Sequence, residues 1–180
     1  KKGKQEKSTG RWAVQVFFIA VVLSAALSLA SDQALDGAGL AVAFAVLLAF
    51  ILLGIVFDII GVAVTAADEK PFHSMAARKT PGAREALNLI RKADKVSSFC
   101  NDVVGDICGI ISGSTGAVIV VQIQSAFGMP GMVISLAVTA LTSGLTIGGK
   151  ALGKSFAIAK STAVLQLVGR LLHLFSRKKR

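Results

Sequence analysis

Residues 40–57 read LAVAFAVLLAFILLGIVF, a run of apolar and small residues without a charged side chain. A membrane-spanning helix needs roughly 20 predominantly apolar residues, because each residue advances the helix by about 1.5 Å and the hydrocarbon layer is about 30 Å thick. The apolar pattern continues on both sides, from Gly37 to Ala67, and only the carboxylate of Asp58 interrupts it. This stretch therefore predicts a transmembrane helix over about 38–67.

Three other apolar runs predict helices of the same kind, at about 12–31, 96–126 and 131–150. The chain is 53% hydrophobic and only 17% charged, with a mean hydropathy of +0.69, which is outside the usual range of soluble domains. The predicted fold class is all-α: a polytopic membrane protein with about four transmembrane helices. The first run also begins like a signal peptide, but its apolar part exceeds the usual length of about 7–15 residues, which favours a retained helix.

The polar segments divide the chain around these helices. Residues 1–11 form a basic tail, and residues 12–150 form the membrane domain. Within that domain, residues 68–95 predict a cytoplasmic helical hairpin, because Pro71 and a Thr-Pro-Gly turn separate two short helical patterns. In residues 151–180, basic and apolar side chains alternate with helical spacing, which predicts an amphipathic helix at the membrane interface.

The basic residues are confined to three segments. Five lie in residues 1–11, seven in 70–95 and eight in 150–180, whereas the connections around Asp32 and at 128–131 contain none. Basic loops usually stay in the cytoplasm, so both termini and the hairpin are predicted there, in a multi-pass protein of the cell membrane. The net charge of +10 then indicates contact with the lipid bilayer and its anionic headgroups rather than with nucleic acid.

Carboxylates within the apolar runs are the clearest functional signal. A charge near a helix centre costs about 2.5–3.5 kcal/mol on insertion scales, so such residues usually face a cavity, a partner or an ion. Asp106 lies about 16 Å along the helix from Lys95, near the predicted midplane. Asp102 is one turn nearer to Lys95 on the same face, and Asn101 lies on an adjacent stripe. Asp58 shares a face of the second helix with Thr65.

Carboxylate, hydroxyl and amide oxygens are ligands for hard cations such as Mg²⁺, Ca²⁺ or Na⁺, whereas zinc prefers His and Cys. The predicted metal-binding residues are therefore Asp58, Thr65, Asn101, Asp102 and Asp106. No enzymatic activity and no organic cofactor are predicted, because HExxH, GxSxG and phosphate-loop motifs are absent from the sequence.

The third helix is rich in small residues. Gly105, Gly109 and Gly113 are spaced by four, which places them on one face, where helices approach closely, and this predicts a homodimer. The Ser-Gly-Ser-Thr-Gly stretch at 112–116 predicts a break or distortion of the helix. Cys100 and Cys108 are about two turns apart, too far for a disulfide, and are expected to be buried thiols.

Three short motifs resemble the transmembrane domain of the CorC/CNNM magnesium transporter family. Val64-Thr-Ala-Ala-Asp-Glu69 is similar to the family's Phe-Ser-Ala-x-Glu-Thr, and Val104-Gly-Asp-Ile107 to its Ile-Gly-Asn-Thr. Gly149-Lys-Ala-Leu-Gly-Lys-Ser155 is similar to its Gly-Glu-Ile-x-Pro-Lys-Ser. The resemblance covers about two-thirds of the chain and includes the order of helices, cytoplasmic hairpin and juxtamembrane belt helix.

The resemblance implies transport or binding of a divalent cation such as Mg²⁺. Thr65 and Asp106 then fall at ion-site positions, with Asn101 nearby. The chain departs from the family pattern at Lys150, which stands where the family has an acidic residue, and at Gly153, which replaces a proline. An additional helix precedes the matching region, and no pair of CBS domains follows it in this sequence.

Two other functions are compatible with the same residues. In a non-transporting scaffold or regulatory subunit, Lys150 would turn inward as a counter-ion and pair with Asp58 or Asp102. In a small proton- or sodium-coupled exporter, Asp106 would carry the ion. A lysine at a helix end can also extend to the lipid phosphates. An inward Lys150 would therefore favour the scaffold or regulatory function, whereas an outward Lys150 would only contact the lipid surface.

Overall fold

The described chain is helical along almost its whole length. The computed structural model describes the backbone of residues 2–128 and 130–177, and the side chains of residues 12–128 and 130–175. The helices are α1 (Lys2–Leu35), α2 (Leu40–Ala66), α3 (Glu69–Ala77), α4 (Ala83–Ile90), α5 (Ala93–Ser98), a π-helix (Phe99–Gly105), α6 (Asp106–Phe127), α7 (Gly131–Ala159) and α8 (Ser161–Arg177).

Among the described residues, four helical segments are long and apolar enough to cross a membrane, namely Trp12–Leu35, Leu40–Ala66, Ala93–Phe127 and Gly131–Ala159. The prediction of an all-α fold with four such helices is therefore confirmed. The helix predicted at 131–150 continues to Ala159. The backbone of residues 2–11, predicted as a tail, continues α1, whereas the side chains of that segment lie outside the described part.

The chain forms two compact units. The first comprises Lys1–Leu53 and Asp106–Leu145. In it, α1 packs against α6, and Gln122 Nε2 donates a hydrogen bond to the Ala38 carbonyl oxygen at 3.0 Å. Ala43, Leu47 and Ile51 are buried with a spacing of four, which is the spacing of one helix face.

The second unit comprises Gly54–Gly105 and Thr146–Arg180. Its hydrophobic core contains Phe72 of α3 and Leu165 of α8, both completely buried. The buried residues around them come from α2, α4 and α7, and are Ala63, Val64, Ala86, Leu87 and Ala157. Burial of apolar side chains contributes about 25 cal/mol per Å² to the free energy of unfolding. Here it holds the short helices α3 and α4 together with α8.

The packing of α4 against α8 depends on two glycines. A Cβ on Gly169 would overlap the carbonyl oxygen of Gly82, and a Cβ on Gly82 would overlap the backbone at Arg170. Gly82 also has a φ of 86°, a left-handed conformation that glycine adopts without strain. Only glycine at both positions permits this backbone contact.

A hydrogen bond joins the same two helices, because Glu85 Oε1 lies 2.8 Å from Nδ1 of His173, and the contact is an ion pair when the imidazole is protonated. Burial alone would raise the pKa of the Glu85 carboxyl. Hydrogen bonds from His173 and from the backbone, together with the positive charges of His173 and Arg84, lower its pKa below the ordinary value. The pair therefore stabilises the ionised carboxylate.

The predicted distortion of the third membrane helix at 112–116 is wrong, since α6 is regular from Asp106 to Phe127. The irregular segment is instead the π-helix Phe99–Gly105. A helix satisfies its interior backbone groups within its own segment, which outweighs the low helix propensity of glycine and serine there. Isolated π-turns of this kind often occur at functional sites.

Candidate functional site

Asn101 is the predicted site residue with the most constrained environment. It lies in the π-helix, and its Nδ2 donates a hydrogen bond to Ser97 Oγ at 3.3 Å. This bond fixes the amide plane, so the other end of the amide, Oδ1, points away from Ser97. Oδ1 is completely enclosed and accepts no hydrogen bond from a described residue. An enclosed acceptor without a donor costs about 1–3 kcal/mol.

Gly61 of α2 faces this oxygen. A Cβ on Gly61 would overlap Asn101 Oδ1 and lie 3.1 Å from Nδ2. Glycine at position 61 is therefore what lets the amide approach the backbone of α2. Asn101 Oδ1, which has no hydrogen-bond donor, therefore faces the backbone of α2 at a residue that has no side chain.

Lys150 of α7 points toward the π-helix. Its Nζ lies 3.5 Å from the point that a Cβ on Gly105 would occupy, and the carbonyl oxygen of Cys100 lies 3.5 Å from the same point. The side chain is half-buried. Within the described residues, Nζ forms no ion pair with a carboxylate at 4.0 Å or less, so the expected contact with Asp58 or Asp102 is not formed in this arrangement.

The three aspartates occupy different environments. Asp58 is half-buried, whereas Asp102 and Asp106 are exposed on the protein surface. Asp102 Oδ2 accepts a hydrogen bond from Ser98 Oγ at 2.5 Å. Among the described residues, no group of three or more His, Cys, Asp and Glu side chains is close enough to hold a metal ion. The carboxylates alone therefore do not form a cluster here.

Thr65 is exposed, and its Oγ1 donates a hydrogen bond to the Val62 carbonyl oxygen at 2.9 Å. Because Oγ1 is the donor in this hydrogen bond, its lone pairs remain available to a cation. Thr65, Asn101 and Asp58 belong to the second unit, and Asp106 belongs to the first.

Two residues beside Asn101 were not singled out from the sequence. Ser97 could have been found, because a serine four residues before an asparagine lies next to it on a helix. Gly61 could not have been found in this way, since a contact between two helices leaves no signal in either segment alone. Two further buried hydroxyls, Ser112 Oγ and Thr115 Oγ1, also have no hydrogen-bond partner among the described residues.

The fold and these residues define a class of protein: in the part of the chain that the structure describes, it is all-helical, with four helices long and apolar enough to cross a membrane and polar side chains within them. No protein-family model, no curated protein and no solved structure matches this chain.

Proposed function

We propose that this protein binds a divalent cation such as Mg²⁺ and transports it across a membrane, in the manner of the CorC/CNNM membrane domain. The observation that carries the proposal is Asn101 Oδ1, an enclosed oxygen with no donor at a distorted point of a candidate membrane helix. Because Gly61 of α2 closes over that oxygen, a cation or an ordered water would satisfy it once this contact between α2 and the π-helix opens. The sequence motifs that contain Thr65 and Asp106 support the same function.

The ligand chemistry favours a hard cation. Amide oxygen from Asn101, hydroxyl oxygen from Thr65 and the carboxylates of Asp58, Asp102 and Asp106 are all hard donors. Mg²⁺ usually retains several waters and takes only one or two carboxylates directly. A site of this kind does not need the three acidic or imidazole ligands that a closed metal centre requires.

We also propose that the protein acts as a homodimer in a cell membrane, with both termini cytoplasmic. The glycine-rich face of α6 supports the dimer, because a Cβ on Gly109 or Gly113 would meet no atom within 4 Å. This face therefore leaves room for a second helix. The distribution of basic residues supports the orientation.

A second candidate function is a non-transporting scaffold or regulatory subunit. The inward direction of Lys150 favours it, whereas the ion pair with Asp58 or Asp102 that this function would use is not formed among the described residues. Its ammonium lies against Gly105 of the π-helix, the segment that also contains Asn101. A fixed positive charge beside a cation site repels the ion or replaces it. In this alternative the lysine provides internally the charge that a metal ion provides in the first proposal.

Thermal unfolding in detergent, with and without cations, separates the two functions. For a transporter, saturating Mg²⁺ should raise the unfolding temperature, because a ligand at 100 times its Kd stabilises the folded state by about 2.7 kcal/mol. Asn101→Ala should reduce that rise. The matched control Asn88→Ala, at an exposed position of α4, should keep it.

The opposite pattern supports the scaffold. Wild-type protein would then show no stabilisation by Mg²⁺, Ca²⁺, Mn²⁺ or Na⁺, and Lys150→Glu would create a response that Lys154→Glu, at an exposed position of α7, does not. Absence of stabilisation in the wild type contradicts the proposed cation binding.

A further inference from the structure

An open pocket of about 470 Å³ lies at the end of α1, in the first unit. Its lining includes the carboxylates Asp32 and Asp36, together with Leu35 of α1 and Val118 of α6. The backbone N–H of Asp36 donates to the carbonyl oxygen of Asp32 at 2.9 Å, so the two aspartates are one helical turn apart and lie on the same side. Neither carboxylate forms an ion pair with a described residue. The pocket therefore presents two negative charges without a counter-charge.

Two contacts fix the register of α1 along α6. Gln122 Nε2 donates a hydrogen bond to the Ala38 carbonyl oxygen, just beyond the end of α1, and Leu35 shares the pocket with Val118. A step of three residues toward the N-terminus on the α1 side thus matches a step of four residues toward the N-terminus in α6. The two helices therefore run side by side in the same direction, and residues one turn before Leu35 lie at the level of residues one turn before Val118.

Two buried hydroxyls lie at that level. Ser31 is four residues before Leu35, and Thr115 is three residues before Val118, so each lies about one turn, or 5.4 Å, from a residue that lines the pocket. Ser31 is 3% exposed and Thr115 is 0% exposed. Neither Ser31 Oγ nor Thr115 Oγ1 has a hydrogen-bond partner among the described residues. Buried hydroxyls nearly always have a partner, which can be an ordered water or an ion, so these two oxygens are available to a ligand of the pocket.

The charge of the first unit favours a cation as that ligand. Among its described side chains, the charged ones are Asp32, Asp36 and Asp106, and none is a lysine or an arginine. A cation near the pocket is therefore attracted and meets no repelling side chain of this part of the unit. Two carboxylates with neutral hydroxyls suit Mg²⁺, which usually takes one or two carboxylates and keeps several waters. With about six waters of about 30 Å³ each, such an ion needs roughly 180 Å³ and fits the pocket.

We propose that the pocket at the end of α1 binds a hydrated divalent cation. Asp32 and Asp36 bind the ion or its waters, and the hydroxyls of Ser31 and Thr115 form hydrogen bonds with its water shell. The site is separate from Asn101, which belongs to the second unit, and α1 precedes the region that resembles the CorC/CNNM domain. As the place where a transported ion is taken up from the outside, the site rests on the proposed function, whereas binding itself rests only on the pocket and its oxygens.

Binding is measured with Mn²⁺, a paramagnetic substitute for Mg²⁺, added to the full-length protein in detergent. Free Mn²⁺ is quantified by its electron paramagnetic resonance signal, which weakens as the ion binds. Wild-type protein should bind Mn²⁺ and release it to excess Mg²⁺. Asp32→Asn combined with Asp36→Asn should remove one bound ion per chain. The matched control, Glu69→Gln combined with Asp94→Asn on α3 and α5, changes the net charge equally and should remove none.

Thr115→Val tests the hydroxyl separately, because valine has nearly the same shape. Removal of a buried hydroxyl without a partner should leave the unfolding temperature of the cation-free protein unchanged or raise it. The Kd for Mn²⁺ at the pocket should nevertheless rise by about tenfold, as when a metal site loses a residue that contacts its ligands. The control is Ser125→Ala, at an exposed position of α6 where Oγ donates to the Val121 carbonyl oxygen at 2.8 Å, and it should leave this Kd unchanged.

The outcomes separate this site from the proposed function. Mn²⁺ binding that is unchanged by the double aspartate substitution but weakened by Asn101→Ala overturns the site at α1 and leaves the proposed function standing. The reverse pattern supports the site at α1 and contradicts cation binding at Asn101. A wild-type protein that binds no Mn²⁺ overturns both. An unchanged Kd in Thr115→Val overturns the contribution of the buried hydroxyls.

Discussion

At the scale of single residues, Gly61 and Asn101 form the most restrictive contact of the candidate site. Gly61→Ala should force the amide of Asn101 away from α2, because the added methyl group would occupy the place of Oδ1. Overpacking of this kind costs about 1–3 kcal/mol, so the unfolding temperature in detergent should fall by several degrees. Any cation-dependent stabilisation should weaken with it.

The control is Gly148→Ala in α7, where a Cβ would meet nothing within 4 Å. Alanine there should be neutral or stabilise the helix by about 0.5–1 kcal/mol. If Gly61→Ala behaves like Gly148→Ala, the close contact between Gly61 and Asn101 is not important for the fold.

The sequence predicted some of these residues for a physical reason. Asn101 and the aspartates are polar residues in apolar runs, and that contrast is visible without a structure. The partner of Asn101 was not predictable, because a glycine in α2 carries no mark of the helix that packs on it. The sequence also left the direction of the Lys150 side chain open, because a lysine at this position is compatible both with an inward side chain and with one that extends to the lipid phosphates.

At the scale of helices, the contact between α4 and α8 should depend on pH. The pKa of Glu85 is lowered in the folded state, so its ionised form stabilises the fold above its unfolded pKa. That contribution is lost as the pH falls through the lowered folded-state pKa. Glu85→Gln should therefore lower the unfolding temperature at pH 6, by the equivalent of up to about 1 kcal/mol for a partly exposed pair.

The difference between wild type and Glu85→Gln should begin to shrink as the pH falls through about 4.3, the ordinary pKa of a glutamate, and should disappear below the lowered folded-state pKa of Glu85. Glu69→Gln is the matched control, because Glu69 pairs with His73 of its own helix at 3.3 Å and joins no second helix. A constant difference across this pH range would show that the carboxylate charge of Glu85 does not stabilise the contact.

Helix boundaries show what a pattern of residues can and cannot predict. Long apolar runs identified all four candidate membrane helices, because their length is set by the thickness of a bilayer. The end of α7 was placed too early, since Lys150 and Lys154 suggested an interface and yet lie within a continuous helix. The π-helix was not predicted, because one extra residue in a turn leaves no periodic signal in so short a segment.

At the scale of the whole molecule, the orientation in the membrane can be tested directly. Single cysteines are introduced at Gln33 and at Ser74, both exposed, in protein lacking Cys100 and Cys108. An impermeant thiol reagent applied to intact cells should label position 33 and not position 74, because the basic segment around Ser74 is expected in the cytoplasm. Lysis should make position 74 reactive, which controls for accessibility.

Labelling of position 74 from outside would reverse the proposed orientation. Labelling of both positions from outside would indicate an even number of crossings between them and would contradict the single crossing by α2 that the four-helix arrangement requires. The measurement is independent of any transported ion, so it remains informative if cation binding is not found.

The single residue between α7 and α8 has a mechanical consequence. Lys160 is hydrogen-bonded to the helices on both sides, so no flexible linker separates α7 from α8. A helix of the length of α8, Ser161–Arg177, extends about 25 Å and acts as a lever arm attached to the end of α7. Rotation of α7 by about 10° would displace the far end of such a lever by about 4 Å. Torque on α7, from a change in bilayer thickness or lateral tension, would thus reach α4 as a lateral shift.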